Sequence, residues 1–247
     1  DDFNDVVLYT DKKDTTSLFT DHAGIALSTA GFNITAANWA DNVNSTIRSA
    51  ICKSPSTAAG SECEKRMLWM LGKKHTTDAA NDPGGPNINR WSVSDVLHSS
   101  PVVITYGGDG TQFFDRVVYG TNAGYLHMVN GNSGKEDWRY MPSDFWSAQR
   151  QLFDNRQDSH MYGMDSTPTV WMCDGGDGII KPLSGSVGRL NSGKGTCDSS
   201  GAGDFVRIIT STRRGGGSNG FIYALDVTPT STVSLTSNIA PAFMWRI

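Results

Sequence analysis

The chain has 247 residues, with 21 Lys and Arg against 25 Asp and Glu for a net charge of −4. That length allows one large or two small domains with an ample core, and the mild charge, without a basic stripe, argues against phosphate-backbone binding, so no nucleic-acid partner is expected. No apolar run approaches the roughly 20 residues that cross a bilayer, and 27 glycines among many Ser, Thr, Asn and Asp suit a turn-rich β protein.

The chain opens at Asp1 with neither a Met nor a signal-peptide pattern. It reads as a processed or internal fragment, and export is not legible from this end. Val6-Val7-Leu8-Tyr9-Thr10 predicts a short strand. Residues 1–20 are assigned to the outer strand of a sheet earlier than two repeats farther along. Asp11-Lys12-Lys13-Asp14 reads as a solvated turn.

Residues 21–90 form a different region, a helical insertion and linker. Trp39, Val43, Ile47 and Ile51 recur every four residues and mark one helical face. A second helix is expected over Glu62 to Leu71, with Gly72 as its stop. Cys52 ends the first helix and Cys63 opens the second, so a bridge between them would staple a helical hairpin. Residues 73–89 are polar, contain Asp82-Pro83-Gly84-Gly85-Pro86, and read as a loop.

From residue 91 to 247 the pattern is β, and one unit is written twice. The first copy runs Ser99-Ser100-Pro101-Val102-Val103, Arg116-Val117-Val118-Tyr119, Gly124 to Asn130, then Trp138-Arg139. The second runs Ser166-Thr167-Pro168-Thr169-Val170, Arg207-Ile208-Ile209, Gly220 to Asp226, then Trp245-Arg246. Four short strands repeated are the unit of a β-propeller blade, and about 40 residues, as in the first copy, is its usual span. Such blades must stack, so two do not close a ring. The fold expected is mainly β: a partial β-propeller of two four-stranded W-type blades plus part of an earlier blade, with a disulfide-stapled helical hairpin inserted.

Trp138 and Trp245 are expected at equivalent, largely buried places, because a large flat side chain fills the wedge between twisted sheets. Gly124 and Gly220 precede the aromatic strands and are expected to permit tight turns. Tyr125, His127 and Val129 alternate with Leu126, Met128 and Asn130, giving two partly apolar faces, as in a sheet covered on both sides. A short helix is expected over Phe145 to Phe153. Residues 174–203, rich in Gly and Ser, read as a long surface insertion closed by a Cys173–Cys197 bridge.

Neither Cys pair, Cys52 with Cys63 or Cys173 with Cys197, has CxxC spacing or nearby His, which argues against zinc. Four cysteines allow three connectivities. The two local ones are expected, because each closes a loop lacking its own core. Four buried thiols are the alternative. Disulfides would place the chain in an oxidising compartment, the periplasm or cell surface.

Asp109, Asp174 and Asp177 lie in Gly/Asp turns and are weak calcium candidates. An EF-type loop needs oxygens at about positions 1, 3, 5, 7, 9 and 12, closed by a bidentate Glu. Neither turn has that set, so plain turns are expected. His98, near Asp95, and His127 are expected to be satisfied structural histidines, since no Ser or Cys nucleophile motif accompanies them. Arg213-Arg214-Gly215-Gly216-Gly217 is a flexible basic turn able to offer backbone N–H groups to an anion, but it is not a P-loop. No GxSxG, HExxH, GxGxxG in a strand-to-helix context or Arg-Gly-Asp occurs. No catalytic residue and no cofactor are assigned.

Four stretches carry a further signal. Val93 to Val103 resembles the segment that opens the C-terminal propeller of the PilC/PilY family of type IV pilus proteins. Tyr119 to Met128, Tyr162 to Val170, and Gly215 to Thr228 resemble that family's next three motifs, in its order. Leu68-Trp69-Met70-Leu71-Gly72 resembles the helix before them. Ala123 stands where the family usually has Asp, and Ser94 where it has Gly. The resemblance implies a large exported protein at the pilus tip and outer surface. Its partners would be pilins or minor pilins, a host or abiotic surface, and the rest of the same polypeptide completing the propeller. It also implies a calcium loop in a later blade, outside this segment.

The leading expectation is thus a non-enzymatic pilus adhesin and assembly factor, extracellular, without a membrane span. A quinoprotein-type dehydrogenase propeller is the runner-up, because Gly124 to Trp138, with Ser133-Gly134-Lys135, resembles its blade repeat. Against it, the chain has no adjacent cysteines. A structural envelope scaffold is the third reading.

Overall fold

Each of the eight β-rich runs in the two repeats becomes a strand in a computed structural model that describes residues 8–11, 45–72, 93–155, 160–182, 203–216, 220–236 and 239–247. The first repeat gives β2 (Val102–Gly108), β3 (Phe113–Gly120), β4 (Leu126–Asn130) and β5 (Glu136–Tyr140). The second gives β6 (Thr169–Cys173), β7 (Phe205–Ser211), β8 (Ile222–Asp226) and β9 (Ala242–Arg246). Each set is an antiparallel meander in sequence order.

The two meanders share register as well as order. In the first, Met128 faces Trp138, and the pairing then skips a residue so that Val129 faces Glu136. In the second, Ala224 faces Trp245, and the same skip sets Leu225 opposite Phe243. A bulge at the same step of both last strands re-aims the side chains that follow it. It gives Trp138 and Trp245 the same position in their sheets.

Cross-strand partners share a face. Val118, Met128 and Trp138 therefore point one way from the first sheet. They point at the second sheet, because the Trp138 indole N–H donates to the Ile239 carbonyl at 2.8 Å. Tyr140 lies on the same side, against Tyr223 and Phe243, with ring centroids 6.3 Å away in each case. Tyr223, Leu225 and Phe243 are thus the second sheet's rear face, and Ala224 and Trp245 point away from the first sheet. Fully buried Trp138, Met128, Val118, Ile208 and Leu225 belong to the shared core.

β1 (Leu8–Tyr9) departs from expectation. It pairs parallel with β5, Leu8 opposite Arg139 and Tyr9 opposite Tyr140, and extends the first sheet to five strands. It therefore joins this sheet and not an earlier one. The outer edge of β5 would otherwise leave backbone groups unpaired beside the core. Both strand residues are buried, and Tyr9 meets Trp138 edge-on at 6.5 Å.

The helical hairpin is present as α1 (Ser45–Ile51) and α2 (Glu62–Met70), closed by a Cys52–Cys63 disulfide. Trp39 and Val43, assigned to the first helix, lie outside the described residues. Ser61 caps α2 by accepting from the Glu64 N–H at 3.2 Å, and Gly72 ends it at φ 81°, a left-handed conformation that glycine adopts without strain. The hairpin docks on α3 (Ala148–Phe153). Arg66, almost fully buried, bonds Glu62, the Arg150 carbonyl and Asp154 and lies over the Phe153 ring. Trp69 meets Phe153 edge-on at 5.8 Å. No helix among the described residues is long and apolar enough to cross a membrane.

Candidate functional site at the junction of the two sheets

The segments entering β2 and β6 and the loops β3–β4 and β7–β8 meet at one end of the sheet pair. His98 holds its Nδ1 against both oxygens of the buried Asp165, at 2.8 and 3.0 Å. The Thr167 hydroxyl accepts from the Ser100 N–H at 2.9 Å and donates to the His98 carbonyl at 3.3 Å. The Asn122 amide donates to Asp95 at 2.8 Å and stands 3.4 Å from His160 Nε2. Partial burial pushes the Asp95 carboxyl up, but bonds from Asn122 and Ser94, together with His160, outweigh it and hold the group below the usual range. Beyond His160 lies Tyr162, edge-on at 4.8 Å, and the Arg214 guanidinium sits 5.5 Å from the tyrosine ring centroid.

Glycines make this junction close. A Cβ on Gly120 would meet the Met164 carbonyl oxygen at 2.0 Å. One on Gly163 would meet the Gly124 nitrogen at 2.4 Å, and one on Gly215 the Gly163 carbonyl at 2.1 Å. Three backbones lie in contact here, where no side chain fits. The Gly215 N–H is bonded to the Thr212 carbonyl at 2.7 Å within a short 3-10 turn (Arg213–Gly216). The basic turn thus commits that donor internally and does not hold it out for an anion.

An imidazole oriented by a buried carboxylate can exchange a proton at its other nitrogen, and the His98 side chain is one-third exposed. Among the described residues no Ser, Thr or Cys side chain bonds it. His127 is a satisfied structural histidine: fully buried, with Nδ1 on Glu136 and Nε2 3.3 Å from Thr121 Oγ1. Burial pushes its pKa down. Burial pushes Glu136 up, but the Arg139 guanidinium and the His127 ring overcome it and hold the carboxyl at about 2.

The calcium candidates are turn formers. Asp109 accepts from the Thr111 hydroxyl at 2.5 Å and from the Gln112 and Thr111 N–H groups at 2.9 and 2.8 Å, which together hold its carboxyl down at about 2. Asp174 accepts from the Gly176 N–H, and Asp177 from the Ile179 N–H and Lys181 Nζ. No three His, Cys, Asp or Glu side chains converge to hold a metal among the described residues. The start of the insertion is not merely surface, since Ile180 is fully buried and its N–H donates to the Tyr106 carbonyl. Cys173 is disulfide-bonded. Its expected partner Cys197 and residues 183–202 lie outside the described residues.

One other expectation is corrected. Trp245 holds the predicted position, less deeply buried than the fully buried Trp138. Gly124 sits at φ 89° against Phe145, as a tight turn requires. Gly220 has no positive φ, and among the described residues a Cβ there would find only the Arg213 carbonyl, at 3.8 Å.

Sequence reasoning missed the buried network at the outer edge of the interface. Asp11, expected in solvent, is 2 % exposed. It accepts from the Tyr140 hydroxyl and from the Ser143 N–H and hydroxyl at 3.1, 2.7 and 2.8 Å. Burial pushes its carboxyl up despite those bonds. Asp144 beside it takes the Tyr223 hydroxyl and Arg246. A charged run beside Asp11 hid this role, and only the pairing of β1 with β5 reveals it.

No family model, curated protein or solved structure matches the chain.

Proposed function

We propose that the chain is a β-propeller segment of a non-enzymatic type IV pilus adhesin and assembly factor, acting at the bacterial outer surface. One observation carries this reading. The four stretches that resemble the PilC/PilY family all meet at the single junction described above: His98 on Asp165, Asn122 on Asp95, Gly120 and Gly124 against Met164 and Gly163, and Gly215 on Gly163. Their spacing along the chain therefore follows from the way successive sheets join, which supports a common architecture. The Cys52–Cys63 disulfide fits an oxidising compartment.

Rigid sheets fix the strands and leave contact chemistry to loops. In this reading the loops engage pilins or minor pilins and a host or abiotic surface. The test is deletion of the gene in the native bacterium, followed by counting surface pili and attached cells. Fewer pili and weaker attachment, restored by complementation, are expected. Unchanged piliation and attachment would sink the proposal, as would alcohol oxidation by the purified protein given quinone and calcium.

A further inference from the structure

The connection between α1 and α2 is longer than a helical hairpin needs. Two to five residues suffice for such a turn, yet residues 52–61 make this one. Its ends are fixed. Cys52 and Cys63 are fully buried in their disulfide, the Cys52 carbonyl accepts from Arg150, and Glu62 accepts from the Lys53 N–H at 3.1 Å. Ser61, which caps α2, donates its hydroxyl to the Ser56 carbonyl at 3.1 Å. Arg48 Nε donates to the Pro55 carbonyl at 3.1 Å.

Between those ends runs Ser54-Pro55-Ser56-Thr57-Ala58-Ala59-Gly60, without a charge, an aromatic ring or a long aliphatic side chain. Every one of these residues is exposed, and a Cβ on Gly60 would meet nothing within 4 Å. The loop therefore contributes nothing to the core. Its hydroxyls are not alike. That of Ser61 is committed to the cap, and that of Ser56 accepts from the Ala58 N–H at 3.2 Å. Ser54 lies at the base, its N–H 3.5 Å from Glu62. The Thr57 hydroxyl, midway along the loop, makes no hydrogen bond among the described residues. Runs of Ser and Thr with Pro are the composition of O-glycosylated segments, and a disulfide fits the oxidising side of a membrane, where secreted proteins carry their sugars.

We propose that Thr57 is the acceptor of an O-linked glycan. In its attachment the Thr57 Oγ attacks the anomeric carbon of a phosphate-activated sugar. The Oγ–carbon bond forms as the bond from that carbon to the phosphate oxygen breaks. The phosphate leaves with the bonding electrons, the hydroxyl proton passes to a base of the transferase, and nothing is oxidised or reduced. The disulfide keeps the acceptor presented on a closed loop. Exposed loops of small and polar residues are preferred sites of proteolytic nicking, and a bulky sugar there shields the chain. The inference rests on the hairpin alone and stands apart from any role in pili.

Mass spectrometry of protein purified from its native source tests it. After reduction, trypsin releases residues 54–65 as one peptide, between Lys53 and Lys65. That peptide is expected to carry a sugar mass that electron-transfer fragmentation locates on Thr57. Thr57→Ala should lose the mass, with the thermal midpoint and the disulfide unchanged, and Thr57→Ser should keep it. Native Thr57→Ala protein should also be nicked within residues 54–60 faster than the parent by elastase, which cuts after small residues. An unmodified peptide as the sole form would overturn the proposal. So would a phosphate in place of the sugar, a glycan found only on Ser54, Ser56 or Ser61, or a mass that survives Thr57→Ala. Equal nicking of the two glycoforms would overturn the shielding role.

Discussion

On their rear faces the two sheets differ: the first pairs its charged groups largely with one another, whereas the second borrows a partner from its neighbour. Three equivalent rear positions make the contrast. In the first sheet they hold His127, Glu136 and Arg139, which bond one another. In the second they hold Tyr223, Phe243 and Arg246, and the tyrosine and arginine both reach Asp144, which follows β5. One backbone pattern thus supports two electrostatic solutions. Register sets where side chains point, and the neighbouring element decides what they meet.

The largest effect expected from breaking this comparison is at the two tryptophans. Trp138→Ala should cost about 3–5 kcal/mol through the cavity it opens and the loss of the bond to Ile239. Trp245→Ala in the same chain should cost about 1 kcal/mol, since a half-buried ring forfeits less burial and leaves no sealed cavity. Urea midpoints at unchanged slope would measure both. Equal losses would mean that the front face of the second sheet is already covered.

A second test separates the two rear faces by pH. Glu136 is held at about 2 against an ordinary 4.5. A carboxyl depressed on folding adds stability above its unfolded value, and that stability is lost as pH falls from 4.5 toward 2. The amount is at most about 3 kcal/mol. Glu136→Gln should be less stable than the parent at pH 7, and the gap should close by about pH 2. Phe243, at the matching place in the second sheet, cannot titrate, so Phe243→Leu should lower stability by a pH-independent amount. A gap for Glu136→Gln that persists unchanged to pH 2 would mean the Arg139–Glu136 contact carries none of the acid sensitivity.

The strands, their order and the closing Trp-Arg strand were legible because alternation and turn residues are local signals, whereas the bulge in that strand was not. The helical hairpin was legible from a four-residue period and two cysteines. The non-local partners were not. Nothing in Leu8 and Tyr9 says that they pair with β5, and the charged sequence Asp11-Lys12-Lys13-Asp14 reads as a solvated turn. His98 was read with Asp95, its near neighbour in sequence, but pairs with Asp165, 67 residues away. The difference between Trp138 and Trp245 was equally hidden, since the residues that cover the first lie a hundred positions downstream.

The smallest effect sharpens the comparison at the paired glycines. Gly124 and Gly220 hold the same place in the two repeats, so sequence reasoning gave them one role. At Gly124 the backbone has φ 89°, and a Cβ would lie 3.0 Å from Phe145 Cβ and Cγ. Alanine there takes a left-handed conformation that costs roughly 1–2 kcal/mol, before any crowding is counted. Gly220 has no positive φ and open space around its Cα. Alanine there narrows the unfolded ensemble at no native cost, and should be neutral or stabilising by up to about 1 kcal/mol. Thermal unfolding of the two variants measures opposite signs if the structure is right. A destabilising Gly220→Ala would mean that the second turn is as tight as the first and that the two repeats are alike where they now differ.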